Sequence, residues 1–447
     1  MNAEFLPFAL QDVPRYTSYP TAVQFQNDFP GARADEWMAA LPADASLSVY
    51  VHVPFCRQLC WYCGCHTSVP NGYERAKRYA DLLVRDIRRT AEIAGGQRGR
   101  IRHLHFGGGT PTYFNDIDLA RVTAAVEHSF GFATDAEIAI EIDPRTMERN
   151  RARGLAAMGF NRASLGVQDF APDVQSKINR VQPTSVVAAC IESLRAAGFQ
   201  SVNFDLMYGL PLQTEASVGE TARQAAAMQP DRFAVFGYAH VPWFKKHQNM
   251  IAEADLPGVH ERYAQAMAIG ATLESEGYQA IGLDHFALPH DSLAVAAASG
   301  RLRRNFQGYT TDVTDALLSF GASAIGQLPQ GFVQAARDTL RWSQAVEAGR
   351  SPVTRGLAVT TEDRMRAEII ERLMCDMTVD ARAIARRHGL DIEAAFDRLQ
   401  PLCRSGLASV EGGTVTVPRE HRLFLRNVAA AFDAHFVPAP NRHAKAV

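Results

Sequence analysis

The sequence predicts an α/β protein: a partial or open (β/α) barrel of about six parallel strands, followed by a smaller, mainly α-helical C-terminal domain of winged-helix-like pattern. Three observations carry this. Short β-rich runs alternate with helical patterns, the arrangement of consecutive βαβ units. The runs are almost continuously apolar, as strands covered on both faces must be. Polar, chemically capable residues recur after one run after another, and a barrel gathers its chemistry at the C-terminal ends of its strands. A doubly wound sheet is less favoured because it does not call for that recurrence.

The runs are SVYVHV (48–53), RIRHLHF (100–106), AEIAIEID (136–143), RASLGV (162–167), SVNFDLMYG (201–209) and RFAVFGYA (232–239). Between them lie helical patterns at Tyr73–Ile93, Ile117–Phe130, Arg149–Met158, Ser185–Ala197 and Ser217–Met228. At 447 residues the chain exceeds one ordinary domain. Three units are expected: an N-terminal arm over 1–45, a barrel domain over 46–354 and a helical cap over 355–447. Apolar residues make up 47% and charged ones 21%, a globular composition, and a net charge of −2 offers neither a basic stripe for nucleic acid nor an acidic tail. No apolar run reaches membrane-spanning length, and MNAEFLPFALQDVPRY has neither the basic start nor the apolar core of a secretory signal. A cytoplasmic location is therefore expected.

In chain order, PRYTSYPTA (Pro14–Ala22), followed by Phe25 and Phe29, is too rich in Pro, Ser and Thr for a helix. It is read as an extended, docked segment, or as a lid over a pocket mouth with Arg15, Tyr16 and Tyr19 facing an anionic ligand. After the first run, VHVPFCRQLCWYCGC (Val51–Cys65) places four of the seven cysteines within ten residues: Cys56, Cys60, Cys63 and Cys65. The first three read C-x3-C-x2-C, with Tyr62 before the third. A disulfide knot needs an oxidising compartment, a structural zinc site usually joins two separated ligand pairs, and packing alone would not need this spacing. Three thiolates on a cubane iron–sulfur cluster leave one iron open to a further ligand, and the spacing favours that reading. Cys190, Cys375 and Cys403 fall in helix-like segments and are read as buried small hydrophobes.

After the second run, GGGTPTYF (Gly107–Phe114) is not a dinucleotide fingerprint, because Pro111 follows too soon. Its glycines suit a tight turn or a close approach of backbone to a ligand. After the third, Glu141 and Asp143 alternate on a strand that Pro144 ends: an acid/base pair, a ligand clamp or solvated charges. Gln168 and Asp169 follow the fourth run, with Arg180 downstream. Asp205 and MYGLPLQT mark the fifth; Tyr238, Ala239 and His240 mark the sixth. Each alone is an ordinary strand end. Together they ring one barrel mouth.

Residues 257–330 add a long helix, then GYQAIGLDHFALP, RRNFQGYTT and FGASAIG. RRNFQGYTT mixes Arg303, Arg304, Asn305 and Gln307 with Phe306 and Tyr309: a loop of mixed packing, or a pocket wall whose guanidinium groups meet carboxylates. Beyond 355, TVDARAIARRHGLDIEAAFDRLQPLCRSG reads as two helices joined at Gly389, and LASV and VTV flank Gly412–Gly413 as a hairpin. This is a helix–turn–helix–wing pattern. Asp391, Glu393 and Asp397 on its second helix make a poor surface for phosphate, so a cap over the barrel mouth is favoured. The terminal RHAKAV is expected to fray.

C-x3-C-x2-C with an aromatic residue before the third cysteine is similar to the radical S-adenosylmethionine enzymes. The lead-in YVHVPFC, the fourth cysteine in C-x3-C-x2-C-x-C and GGGTPT resemble the oxygen-independent coproporphyrinogen III oxidases, and the resemblance runs from Pro14 to about Phe436. It implies that Cys56, Cys60 and Cys63 bind a [4Fe–4S] cluster whose open iron chelates S-adenosylmethionine, and that Cys65 is needed without being a ligand. It also implies two S-adenosylmethionine molecules side by side. Tyr50, Gly108, Glu141 and Ile325 would line the cluster-bound one; Tyr62, Gly109, Thr110, Gln168, Arg180, Asp205 and Ala239 would line the second. The implied reaction begins with a 5′-deoxyadenosyl radical taking a hydrogen from the β-carbon of a propionate. Loss of carbon dioxide and one electron leaves a vinyl group, and repetition turns coproporphyrinogen III into protoporphyrinogen IX. Arg15, Arg304, Gln307 and Tyr309 would meet the substrate. A low-potential donor such as flavodoxin or ferredoxin and an unidentified electron acceptor are implied; no nucleic acid, no membrane and a monomer are expected. The alternative is a haem chaperone or another radical tetrapyrrole enzyme on this scaffold. The chaperones typically lack the fourth cysteine and RNFQGYTT, both present here.

Overall fold

The computed structural model describes residues 1–95, 99–148, 150–437 and 445–447. Its centre is a parallel run of strands: β1 (Leu47–Val53), β2 (Ile101–Gly108), β3 (Phe132–Ile142), β4 (Arg162–Gln168), β5 (Ser201–Tyr208), β6 (Arg232–Gly237) and β7 (Ala316–Phe320). They pair in the order β7-β1-β2-β3-β4-β5-β6. Antiparallel strands extend both edges, from Gln26–Asn27 beyond β7 to Gln279–Ile281 beyond β6, so the barrel is open. The expected six strands are present. The seventh, β7, joins beside β1 and makes the cysteine-bearing strand an interior one.

Helices α1 (Glu74–Ala94), α2 (Asp116–Phe130), α3 (Arg151–Ala157), α4 (Thr184–Ala196) and α5 (Glu215–Ala226) connect the strands, and α6 (Val259–Ser275) follows β6. On α1 the buried Ala76, Tyr79, Ala80, Leu83, Ile87, Ala91 and Ala94 recur at three- and four-residue spacing, one face of a helix. Gly95, at φ +67°, supplies the left-handed turn that ends it. The third helix begins at Arg151; Arg149, where the sequence places its start, lies outside the described residues. RRNFQGYTT is a hairpin, Arg303–Asn305 against Gly308–Thr310.

Toward the C-terminus, helices Thr361–Asp376, Ala381–His388 and Glu393–Arg404 pack with a small sheet of Thr378–Asp380, Thr414–Thr416 and Ser409–Glu411 around a second core. The second and third of these helices meet at Gly389, φ +67°. The N-terminal segment divides between the cores. Phe5, Ala9, Val13, Tyr16 and Tyr19 belong to the second, whereas Phe29, Trp37 and Met38 belong to the first. The Tyr16 hydroxyl donates to Asp433 (3.0 Å) and the Tyr19 hydroxyl accepts from the Ala434 N–H (3.0 Å). These two rings are therefore glue within the core and do not face a ligand. The extreme C-terminus is docked, contrary to the expected fraying: Ala446 N–H donates to the Gln11 carbonyl (2.9 Å), and Ala446 and Val447 are buried. Residues 442–444 of that stretch lie outside the described residues. Among the described residues no helix is long and apolar enough to cross a membrane.

Candidate functional site

β1 hands the chain to a loop, residues 54–68, that folds back on itself. Cys56 N–H donates to the Ser68 carbonyl (3.0 Å) and Ser68 N–H to the Pro54 carbonyl (2.8 Å). Tyr79 of α1 donates to the His52 carbonyl (3.0 Å) and accepts from Ala322 N–H (2.7 Å), fixing the end of β1 against the turn after β7. From β2, Gly109 and Thr110 N–H groups donate to the Val53 and Phe55 carbonyls (2.9 and 2.8 Å). Glycine is required there: Gly108 has φ +115°, and a Cβ on Gly109 would lie 2.8 and 2.9 Å from Phe55 O and N. The close approach allowed for in the sequence is thus to the cysteine loop's own backbone.

The far side of the loop is held by residues not anticipated from sequence. Trp61 N–H donates to the Ile178 carbonyl (3.0 Å) and Asn179 Nδ2 to the Leu59 carbonyl (2.9 Å). Lys245 Nζ reaches the Cys65 carbonyl (2.8 Å), His247 Nε2 the Cys63 carbonyl (2.8 Å) and Gln248 Nε2 the Tyr62 carbonyl (3.0 Å). The available signal was KKHQN, a polar run a few residues past β6, on a rim already marked by His240.

All four cysteines of the motif line one cavity of about 1220 Å³ at the C-terminal ends of the strands. Cys60 Sγ receives Arg180 Nη1 at 3.5 Å and Arg145 Nη2 at 3.6 Å. Cys56 Sγ lies 3.0 Å from Thr67 Oγ1 and 3.5 Å from Thr110 Oγ1. The interaction between Cys63 and Cys65, followed by the Lys245 and Arg180 charges, pulls the Cys63 thiol down, and the same interaction pushes Cys65 up. Among the described residues no three His, Cys, Asp or Glu side chains converge as they would on a single metal ion. A cubane cluster, with its irons at separate corners, asks instead for thiolates standing apart around a cavity. Guanidinium groups and hydroxyls aimed at the sulfurs stabilise thiolates, so these residues fit such a cluster.

The same cavity is lined by Tyr62, Gly108, Gly109, Thr110, Glu141, Gln168, Arg180, Asp205 and Ala239, and by Arg15, Gln307 and Tyr309. Tyr50 is set behind it, stacked on His105 (5.9 Å) with its hydroxyl 3.0 Å from His52 Nδ1. Ile325 opens the neighbouring strand Ile325–Leu328, half-buried and outside the lining. Arg304 lines a second cavity of about 1570 Å³, between barrel and C-terminal unit. Its side chain is only 4% exposed and already engaged: Nε and Nη2 donate to the Tyr16 and Arg15 carbonyls (3.1 and 3.3 Å), and the guanidinium stacks on Tyr309. The Tyr309 hydroxyl donates to the Met374 carbonyl (2.6 Å) and accepts from Leu283 N–H (2.9 Å). Gln307 is exposed at the hairpin turn.

Charge in the cavity is arranged by β3 and β4. Glu141 accepts from Gly108 N–H (3.0 Å) and sits 3.2 Å from His105 Nε2. Burial would push its carboxyl up, but these bonds outweigh it and hold it below the usual carboxylate range. Asp143 falls just past the end of β3, caps the turn Pro144–Thr146 and pairs with Arg145 (2.7 Å) and Arg180 (3.4 Å). It is a counterion for two arginines and forms no acid/base pair with Glu141. Asp169 is 1% exposed and accepts from Ala171 N–H and Gln213 Nε2 (both 2.6 Å), so it braces the turn after β4 rather than facing the cavity.

Burial and the nearby Glu141 charge push Asp205 up to about 7. A carboxyl raised in the folded state keeps its proton where the unfolded chain has lost it, so stability falls as pH climbs through about 4 to 7. Asp205→Asn is therefore expected to raise the melting temperature of the metal-free protein at pH 8 and to give no gain at pH 4. Thermal melts across that range read it.

The Radical SAM superfamily pattern matches residues 50–225, and the HemN C-terminal domain pattern matches residues 359–424. An oxygen-independent coproporphyrinogen III oxidase of Bradyrhizobium diazoefficiens is 48% identical over 438 residues, 97% of each chain. The protein of the same name from Escherichia coli is 40% identical over 426 residues, 94% of this chain and 93% of its own. The solved structure of coproporphyrinogen III oxidase (HemN) from Escherichia coli, described as a radical SAM enzyme, aligns with a TM-score of 0.89 at 38% identity, covering 96% of this chain and all of that one.

Proposed function

Because the chain belongs to the oxygen-independent coproporphyrinogen III oxidases of the radical S-adenosylmethionine superfamily, we propose that it decarboxylates two propionates of coproporphyrinogen III to vinyl groups, giving protoporphyrinogen IX in haem biosynthesis. One observation supports this above the rest. The cysteines of C-x3-C-x2-C-x-C open onto the same strand-end cavity as Glu141, Arg180 and Asp205, in a chain alike from end to end to oxidases of that name.

Cys56, Cys60 and Cys63 hold the [4Fe–4S] cluster, and Cys65 stays off the iron. When bound, the cluster and S-adenosylmethionine would supply the one-electron, radical-forming chemistry at this cavity. The chain's own residues bind, orient and shield. Glu141, kept anionic by Gly108 and His105, suits the ammonium of the cluster-bound S-adenosylmethionine, with Tyr50, Gly108 and Ile325 around it. Tyr62, Gly109, Thr110, Gln168, Arg180, Asp205 and Ala239 serve a second molecule. Arg15, Arg304, Gln307 and Tyr309 border the porphyrinogen. The N-terminal arm (1–45) ties the barrel (46–354), which does the chemistry, to the cap (355–447). A cytoplasmic monomer, reduced by a flavodoxin or ferredoxin and passing electrons to an unidentified acceptor, completes the reading.

Anaerobic incubation of reconstituted protein with coproporphyrinogen III, S-adenosylmethionine and a low-potential reductant is expected to give protoporphyrin fluorescence after oxidation, with one 5′-deoxyadenosine per propionate lost. 5′-Deoxyadenosine release with coproporphyrinogen III untouched would reject this substrate.

A further inference from the structure

We infer that Arg262 and Arg15 form a carboxylate subsite where the two cavities meet, and that it holds a propionate of the porphyrinogen that is not under attack. The inference rests on the function proposed above and adds its binding determinant. Arg262, one turn into α6, lays its guanidinium over the Tyr208 ring (5.5 Å), at the C-terminal ends of β5 and β6. Two glycines make that position available: a Cβ on Gly209 (φ +80°) would fall on Nη1, and one on Gly237 would lie 3.2 Å from Nη2.

What sets Arg262 apart is a half-buried guanidinium with no acceptor. Among the described residues its side chain makes no hydrogen bond and has no carboxylate within ion-pair distance. A second cation, Arg15 of the N-terminal arm, bears on it, and Arg15 Nη2 reaches the Gly237 carbonyl (3.4 Å). Of the other arginines on this wall, Arg304 bonds the Tyr16 carbonyl, Arg422 that of Leu283 (3.2 Å) and Arg426 that of Val13 (3.0 Å), while Arg419 is exposed to solvent. Two guanidinium groups beside Gly237, neither within ion-pair distance of a carboxylate among the described residues, call for a carboxylate, which they can grip bidentately, and a carboxylate buried without such a partner is costly. Arg15 borders both cavities, as do Gly237 and Ala239, so a macrocycle reaching from the cysteine loop toward the C-terminal unit brings its outer carboxylates here.

The test uses the reconstituted holoenzyme and Arg262→Gln, Arg262→Lys and Arg15→Gln. Arg262→Gln is expected to raise KM for coproporphyrinogen III about 10- to 100-fold, the worth of one charged hydrogen-bonded contact, with a much smaller change in kcat. KM for S-adenosylmethionine and cluster absorbance should match the parent, Arg262→Lys should recover part of the loss, and Arg15→Gln should act in the same direction, deciding the matter if Arg262→Gln does not fold. Binding of coproporphyrin III to the unreduced holoenzyme should weaken in parallel. An unchanged porphyrinogen KM, or a rise in KM for S-adenosylmethionine instead, overturns the subsite. Failure of the parent enzyme to convert coproporphyrinogen III would reject the proposed function, and the coproporphyrin III binding comparison would still decide the role of Arg262.

Discussion

Serine at Cys56, Cys60 or Cys63 is expected to leave the protein colourless after anaerobic reconstitution and turnover at background, whereas serine at Cys65 keeps the brown cluster and loses turnover. The division follows from what surrounds each sulfur. Cys60 is buried with two guanidinium groups aimed at its sulfur, and Cys56, whose thiol burial pushes up, has two hydroxyls beside its sulfur that partly offset this. Cys63 is favoured as a thiolate by the Cys65 hydrogen bond and the Lys245 charge. Cys65 is exposed at the cavity wall, and its hydrogen bond to Cys63 and the Cys63 charge push its thiol well up. Serine there can still donate a hydrogen bond to Cys63, so the cluster survives; what disappears is the thiol itself, with its weak S–H bond and soft sulfur. Iron and sulfide content with visible absorbance report the first property, and product formation the second. A bleached Cys65→Ser beside a coloured Cys63→Ser would reverse the ligand assignment. Full turnover in Cys65→Ser would reduce its role to a hydrogen bond.

Much of this architecture is legible because local signals and the fold agree. Apolar runs such as SVYVHV and AEIAIEID become interior parallel strands, and the rule that strand ends carry chemistry gathers Cys56, Gly108, Glu141, Gln168 and Asp205 around one cavity. Misreadings arise where pairing is long-range. ALLSF is short and has no following helix to announce a βαβ unit, yet it pairs beside β1 far back in the chain. Tyr16 and Tyr19 sit in a Pro- and Ser-rich stretch that looks solvent-facing, and only the C-terminal helices supply the apolar surface that buries them. Asp143 is two residues from Glu141, as strand alternation would want. The strand stops one residue earlier, and Asp143 turns to its arginines instead. Lys245, His247 and Gln248 hold the cysteine loop by its carbonyls, an interaction with main chain that leaves no pattern in the residues it serves.

Arg180→Met is expected to lower stability by about 3 kcal/mol, in the range for opening a buried ion pair, and to prevent stable cluster loading. Arg180 is 6% exposed and touches three things at once: Cys60 Sγ (3.5 Å), Asp143 (3.4 Å) and the Gly166 carbonyl. Methionine replaces its aliphatic stem but answers none of them. Asp143 retains Arg145, and Gly166 retains Gln182 Nε2 (3.3 Å), which keeps the cost from being larger. The charge component has a pH signature. Burial works against the Asp143 carboxylate, yet Arg180 and then Arg145 outweigh it and hold the group below its ordinary range. Stability from a lowered carboxyl is complete above the unfolded value near 4 and is lost as pH falls through the folded one. The deficit of Arg180→Met in urea titrations should therefore be greatest at neutral pH and shrink toward pH 3. A deficit indifferent to acid would assign the loss to the Gly166 and Cys60 contacts, and normal iron content in the variant would remove Arg180 from cluster assembly. Because Cys60 and Asp143 draw on the same guanidinium, Arg180 is where the stability of the barrel and the charge of the cysteine loop meet.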